Sequence, residues 1–253
     1  MTPYIDEGSG DAVLLLHGFP FDRTMWQSQI DVLSGNGFRA IAPDLLRPEE
    51  PGPAHTMDEM ARQAAALLDQ LQIKSCVICG LSMGGYVAFE FAKLFPARTR
   101  ALVLAGTRAP ADNEQEKAAR EQQATTMLRA GMVPIAVATL SKLLAPTTLA
   151  EKPEVVARVR KMILGTDPRA ATAAQRGMAV RRSYTDDLGR IKVPTLIVVG
   201  RDDSIRPVSD AEFMHQGIQG SQLNVIDDAA HLTNMEQAGI FNKVVLNFLE
   251  LIH

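Results

Sequence analysis

The sequence predicts an α/β fold: a mostly parallel central sheet with helices on both faces, together with an inserted all-helical cap. Three observations lead to this prediction. Short apolar runs alternate with long helical patterns, which is typical of a parallel sheet covered by helices. The alternation breaks between residues 107 and 192, where helix-forming residues dominate. Finally, a serine flanked by glycines stands where one apolar run gives way to a helical pattern.

The predicted strands are short apolar runs that end in glycine, proline or polar residues, and longer helical patterns separate several of them. The strands are residues 12–16, 39–42, 75–79, 101–105, 195–199 and, with a weaker signal, 223–226. The helices between and after them are residues 57–71, 85–95 and 238–251.

Residues 107–192 are predicted to form the helical cap, and residues 1–106 and 193–253 the α/β core. Reactive groups of a parallel sheet gather at the carboxyl ends of its strands. A helical insertion between two strands is therefore expected to lie over those ends. The cap helices are predicted at residues 114–130, 132–144, 153–164 and 170–181.

The net charge of −3 is unevenly distributed along the 253 residues. Residues 107–192 contain 15 lysines and arginines against 9 acidic residues, a balance of +6. This segment has a single aromatic residue, Tyr184, so it lacks the basic and aromatic pattern of a nucleic-acid-binding surface. We expect no nucleic-acid partner, and we interpret the charge as a solvated helical surface or, alternatively, as attraction for an anionic substrate.

The remaining composition bears on location and redox chemistry. No apolar run is long enough to cross a bilayer, and no basic segment precedes a long apolar one at the N-terminus. We therefore expect no membrane insertion, no signal peptide and a cytoplasmic location.

Cys76 and Cys79 have a C-x-x-C spacing, but strand residues three apart face opposite sides. We interpret them as small buried apolar residues rather than as a redox or metal pair.

The strongest motif is Gly80-Leu81-Ser82-Met83-Gly84, a G-x-S-x-G sequence between an apolar run and a helical pattern. This is the context of a nucleophile elbow, in which a strained turn projects the serine hydroxyl away from the sheet. Side chains two positions either side would crowd the turn, which explains the glycines. We predict that Ser82 is a nucleophile.

A nucleophilic serine needs a base, and the base needs an acid that orients it. His231 follows the run at residues 223–226, and Asp202 and Asp203 follow the run at residues 195–199. Both positions are carboxyl ends of predicted strands. The order serine, aspartate, histidine agrees with the order expected for an elbow of this kind.

These motifs resemble the α/β-hydrolase family, of the single-chain kind with a helical cap. Further matching segments are His17-Gly18-Phe19-Pro20, Ala42-Pro43-Asp44 and Ala230-His231-Leu232. The resemblance implies that Asp203 is the acid, because Pro207 follows it as in the family's G-x-x-D-x-x-x-P pattern. It also implies an oxyanion hole made by the backbone N–H groups of Phe19 and Met83, with no metal or organic cofactor. His17 is interpreted as a structural hydrogen-bonding residue.

The resemblance also bears on the substrate. Relatives that cleave carbon–halogen bonds or epoxides have aspartate at the elbow, whereas Ser82 favours acyl chemistry.

Residues 230–237 resemble 3-oxoadipate enol-lactonase-like proteins, and Arg181 or Arg182 could hold a substrate carboxylate. A proline-rich loop at residues 45–53 replaces the family's Arg-Gly turn and is predicted to border the pocket entrance. Candidate pocket residues are Phe19, Trp26, Leu81, Met83, Met127, Met132, Arg182 and Leu232. Except for Phe19 and Met83, the alternative for the apolar candidates is packing in the core, and for the arginines it is a solvated cap surface.

The sequence therefore predicts a serine hydrolase that cleaves small carboxylic esters or lactones. Two alternatives stay open. A hydrolase of carbon–carbon bonds in ring-cleavage products would share the triad and the cap. A ligand receptor or scaffold with little turnover would share the fold, since fold alone does not determine function.

Overall fold

The computed structural model describes residues 3–46 and 54–252. Most of the predicted proline-rich loop, residues 47–53, therefore lies outside the described residues. Within the described part there are seven strands: β1 (Tyr4–Gly8), β2 (Asp11–Leu16), β3 (Phe38–Pro43), β4 (Cys76–Leu81), β5 (Thr99–Ala105), β6 (Thr195–Gly200) and β7 (Gln222–Ile226).

All strands belong to one sheet in the order β1-β3-β2-β4-β5-β6-β7. Strand β1 pairs antiparallel with β3, and the other neighbours are parallel. The mostly parallel sheet confirms the predicted fold class. The sequence did not predict β1, because this edge strand carries Asp6 and Glu7 and is largely exposed, so it lacks an apolar run.

The described helices divide between the sheet faces and the segment that joins β5 to β6. They are α1 (Gln27–Gly35), α2 (Met57–Gln70), α3 (Met83–Leu94), α4 (Glu114–Ala130), α5 (Val133–Leu143), α6 (Pro146–Glu151), α7 (Pro153–Gly165), α8 (Pro168–Ala179), α9 (Val208–Gly217), α10 (Thr233–Glu236) and α11 (Ala238–Leu251). Helices α4 to α8 fall in the predicted cap segment, while the boundaries at residues 107 and 192 stay a prediction. The short helix α6 was not predicted, since six residues carry little periodic pattern.

Two hydrophobic clusters cover the two faces of the sheet. Helices α1 and α11 pack on one face, and α2, α3 and α9 pack on the other. Alternate residues of β2 enter opposite clusters, as strand geometry requires. The two cysteines follow the same rule: Cys76 packs on the α2 side and Cys79 on the α11 side, both buried and free. Burial raises the pKa of the Cys76 thiol to about 12, which agrees with an inert apolar role.

Among the described residues, no helix is both long and apolar enough to span a lipid bilayer.

Candidate active site

Ser82 lies in the sharp turn between β4 and α3. Its backbone has φ 54° and ψ −109°, a conformation that a residue other than glycine rarely adopts. The turn is held from both sides. The Ser82 N–H donates to the carbonyl oxygen of Ala105 at 2.8 Å, and the Ser82 carbonyl accepts from the Thr107 hydroxyl at 2.9 Å. The surrounding structure therefore maintains the strain of this turn.

The flanking glycines are required by close backbone approach. A Cβ atom on Gly84 would stand 2.0 Å from the Leu16 carbonyl oxygen. A Cβ atom on Gly80 would stand 2.2 Å from the Gly84 carbonyl oxygen. Any side chain at these positions would push α3 away from β2 and β4.

His231 and Asp203 form a buried pair after strands β7 and β6. The Nδ1 atom of His231 lies 2.8 Å from Oδ2 of Asp203. The other carboxylate oxygen of Asp203 accepts the backbone N–H groups of Ile205 and Arg206 at 2.9 and 2.8 Å. With its lone pairs satisfied in this way, Asp203 can hold the imidazole in one orientation and one tautomer.

Ser82 and His231 line the same cavity, which has a volume of about 260 Å³. Core residues that follow strands β2, β4, β6 and β7 form one side, and cap helices form the other. Residues of α4, α5 and α8 therefore face residues that follow the carboxyl ends of these strands. The remaining lining residues are Phe19, Pro20, Tyr86, Arg120, Gln123, Ile135, Ala138, Thr139, Lys142, Leu143, Gln175, Met178, Ile205 and Arg206.

The predicted oxyanion donors are Phe19 and Met83. Phe19 lines the cavity, and Met83 follows Ser82 as the first residue of α3. Among the described residues, neither backbone N–H donates a hydrogen bond. Both N–H groups are therefore unpaired within the described part of the chain, as a donor to an oxyanion must be.

His17, in the same loop as Phe19, is fully engaged in hydrogen bonds. Its Nδ1 atom lies 2.9 Å from the Gly18 carbonyl oxygen, and its Nε2 atom accepts the Leu45 N–H at 2.7 Å. Burial lowers the pKa of His17 below its usual value. Both ring nitrogens of His17 are therefore used in hydrogen bonds within the loop region, which is the geometry expected of a structural residue.

The structure does not bring the other predicted pocket residues to this cavity. Arg182 lies elsewhere: it bonds Glu90 at 2.9 Å, pairs with Asp187 and stacks over Tyr184. Arg181 is buried and paired with Asp112 at 2.7 Å. The apolar candidates failed to reach the cavity because their side chains pack into the hydrophobic core; they are Trp26, Leu81, Met127, Met132 and Leu232.

Several of the lining residues were not predicted from the sequence, and they give the cavity a basic wall that is rich in hydrogen-bond donors. Tyr86 could have been predicted, because it lies four residues after Ser82, one turn into α3, and therefore on the same side of the helix as Ser82. Arg206 lies in the loop that carries Asp203. The cap residues had no local signal, since their position depends on how α4, α5 and α8 pack over the core. Among the described residues, the cavity lining includes Arg120, Lys142 and Arg206 but no aspartate or glutamate.

A cluster of arginines around Asp112 holds one residue of this wall, Arg120, in position. Asp112 pairs with Arg108, Arg120 and Arg181. Although burial raises the pKa of Asp112, the hydrogen bond and charge of Arg120 and the charge of Arg181 outweigh it and hold that pKa far below its usual range. Arg120 also donates to the Gln175 side chain at 2.8 Å, so its position at the cavity is held from two sides.

Comparison with known proteins places the chain in a family. It matches the model of the α/β hydrolase fold over residues 11–238, and it therefore belongs to the α/β-hydrolase family, as the sequence resemblance predicted. It is 28% identical over 247 residues to 3-oxoadipate enol-lactonase 2 of Acinetobacter baylyi, covering 96% of this chain and 90% of that protein.

Two solved structures are similar over nearly the whole chain. A thermophilic esterase from Thermogutta terrifontis, with malate bound, has a TM-score of 0.96 and 40% identity, covering 100% of this chain and 94% of that one. The enol-lactonase from Burkholderia xenovorans has a TM-score of 0.91 and 25% identity, covering 98% of this chain and 96% of that one.

Proposed function

We propose that this protein is a serine hydrolase that cleaves small carboxylic esters or lactones through an acyl-enzyme intermediate. The observation that carries the proposal is that Ser82, in its strained turn, and His231, bonded to Asp203, line one cavity. The esterase and the two enol-lactonases to which the chain is similar support this class of substrate.

The proposed mechanism assigns each group one step. Ser82 Oγ attacks the substrate carbonyl while His231 accepts the serine proton, and His231 then returns a proton to the leaving alcohol. Asp203 orients the imidazole and stabilises its cation. The N–H groups of Phe19 and Met83 bind the developing oxyanion, where one such donor typically contributes about 10²–10³ in rate. Water activated by His231 then cleaves the acyl-enzyme.

The basic wall refines the expected substrate. The sequence left open whether Arg181 or Arg182 binds a substrate carboxylate, and in the structure their guanidinium groups pair with Asp112, Glu90 and Asp187. The cations at the cavity are instead Arg120, Lys142 and Arg206. The proposal therefore includes esters and lactones that carry a carboxylate near the scissile group.

A p-nitrophenyl ester series from acetate to octanoate tests the proposal in the wild type, in Ser82→Ala and in Ser209→Ala. Ser209 is an exposed serine on α9 and serves as the matched control. We expect turnover that Ser82→Ala reduces by a factor on the order of 10⁶ and that Ser209→Ala leaves unchanged. Intact-mass analysis after an acid quench should show the acyl adduct on the wild type and on Ser209→Ala, but not on Ser82→Ala. Ester turnover that survives in Ser82→Ala would refute the proposal.

A further inference from the structure

Tyr86 and Arg206 form a hydrogen-bonded pair in the wall of the candidate active site. Both residues line the cavity that contains Ser82. The Nε and Nη2 atoms of Arg206 donate to the Tyr86 hydroxyl oxygen at 3.1 and 2.8 Å. The backbone N–H of Arg206 also donates to Asp203, at 2.8 Å. The pair therefore connects the helix that follows the nucleophile with the loop of the candidate acid.

The direction of these hydrogen bonds determines what Tyr86 can still do. A guanidinium group has donors only, so the Tyr86 oxygen is the acceptor in both bonds. Its own hydrogen must point elsewhere, and it donates no hydrogen bond to any of the described residues. A buried donor without an acceptor is unfavourable, and a bound molecule with an oxygen atom would relieve that cost.

The ring of Tyr86 is held in place from its face. The Arg181 guanidinium lies 4.1 Å from the ring centroid and is itself bonded to Asp112 and to the Met178 carbonyl oxygen. Burial raises the pKa of Tyr86, but the charges of Arg206, Arg181, Arg120 and Arg108 outweigh it and lower that pKa below its usual value. A more acidic phenol is a stronger hydrogen-bond donor.

We propose that the Tyr86 hydroxyl donates a hydrogen bond to an acceptor oxygen of the substrate that lies outside the scissile group. Arg206 is the positioning residue, because it occupies the acceptor sites of Tyr86 and leaves the hydrogen free. This inference rests on the proposed function and narrows its substrate class to esters and lactones with an additional oxygen atom.

Two pairs of nearly isosteric esters test the inference. In the acyl pair, p-nitrophenyl 4-oxopentanoate is compared with p-nitrophenyl 4-methylpentanoate. In the alcohol pair, 3-oxobutyl acetate is compared with 3-methylbutyl acetate. The keto probes are neutral, so their preference reports a hydrogen bond rather than attraction to the arginines. The ratio of kcat/KM within a pair is independent of the folded fraction of each variant.

The decisive variant is Tyr86→Phe, and Tyr184→Phe is its matched control. Tyr184 is also buried, its hydroxyl has no partner among the described residues, and it lies outside this cavity. We expect Tyr86→Phe to reduce the preference for the keto ester about five- to tenfold in at least one pair, and Tyr184→Phe to leave it unchanged. An unchanged preference in both pairs with Tyr86→Phe overturns the inference.

Arg206 is tested by the same ratios. Arg206→Met should reduce the keto preference as Tyr86→Phe does, whereas Arg206→Lys should restore part of it, because the ammonium group can still donate to the Tyr86 oxygen. A purely structural role would change kcat/KM for both members of a pair equally. Equal losses for keto and methyl esters in Arg206→Met would overturn the positioning role.

A binding measurement separates failure of this inference from failure of the proposed function. Calorimetry with 3-oxobutyl acetate compares Ser82→Ala with Ser82→Ala/Tyr86→Phe, so no turnover is needed. Weaker binding in the double variant supports the donor even if the wild type hydrolyses no ester. Equal binding, together with turnover that depends on Ser82 but not on Tyr86, overturns the donor role of Tyr86 and leaves the proposed function intact.

Discussion

The buried carboxylate of Glu236 accepts a hydrogen bond from the backbone N–H of Ala145, at 2.6 Å. Its other oxygen accepts the N–H of Ala230, the residue before His231, at 2.8 Å. The His231 N–H in turn donates to the Leu143 carbonyl oxygen at the end of α5, at 3.1 Å. One carboxylate thus joins the cap to the loop that carries the candidate base.

Replacing Glu236 with glutamine should destabilise the protein by about 1–3 kcal/mol, because the new NH₂ group would face a backbone N–H. Burial raises the pKa of Glu236, so the folded state holds the proton more tightly than the unfolded state does. The free energy of unfolding should therefore fall as the pH rises from about 4.3 through the folded-state pKa. Thermal melts across this range test both points.

The control for this prediction is Glu250→Gln, at an exposed position on α11. It should leave the melting temperature unchanged. If Glu236→Gln melts at the wild-type temperature and keeps the same pH dependence, the carboxylate does not link the cap to the core.

Asp203→Asn should lower kcat by about 10⁴-fold, because an amide facing His231 Nδ1 favours the tautomer that cannot accept the serine proton. Asp202→Asn is the matched control, since Asp202 is exposed and was the alternative acid in the sequence. Ester hydrolysis by both variants, with folding checked by circular dichroism, decides between them. A larger loss in Asp202→Asn would contradict the assignment.

Met83→Ala should keep most of the activity, because its proposed contribution to the oxyanion hole is a backbone N–H. The side chain is buried, so the variant should lose about 2–5 kcal/mol of stability. Turnover per folded molecule, measured below the melting temperature, tests this separation. A loss comparable to that of Ser82→Ala would show that the side chain, and not the amide, is required.

Gly84→Ala should prevent normal folding of the elbow, because its Cβ would stand 2.0 Å from the Leu16 carbonyl oxygen. Gly239→Ala is the control: it adds the same methyl group at a helical site where nothing lies within 4 Å except the adjacent residues and the helix's own backbone. We expect lost activity and a lower melting temperature for the first variant only. Equal melting temperatures would mean that α3 can move without cost.

Arg182→Ala should affect anionic and neutral esters equally, because Arg182 pairs with Glu90 and Asp187 outside the cavity. Hydrolysis of monomethyl succinate and methyl butyrate measures this. A KM that rises for the anionic ester alone would restore the role in carboxylate binding that the sequence suggested for Arg182.

The sequence by itself determined the features that depend on local sterics and on chain order. The elbow around Ser82 is recognisable from its G-x-S-x-G spacing between a strand and a helix, and Gly80 relieves a contact within that turn. Asp203 and His231 each follow a strand, and the family resemblance favoured Asp203 over its neighbour Asp202. Apolar runs predicted the buried strands, but the exposed edge strand β1 and the short helix α6 had no comparable signal.

Only the tertiary structure decided which side chains surround the nucleophile. Trp26 and Met127 have the apolar character of pocket residues, yet they pack in the core, whereas Arg120 and Gln175 reach the cavity from the cap. The pairing of Tyr86 with Arg206 joins residues 120 positions apart. The cavity forms where the cap packs over the strand ends, so its lining depends on the relative placement of distant elements rather than on the sequence around any one residue.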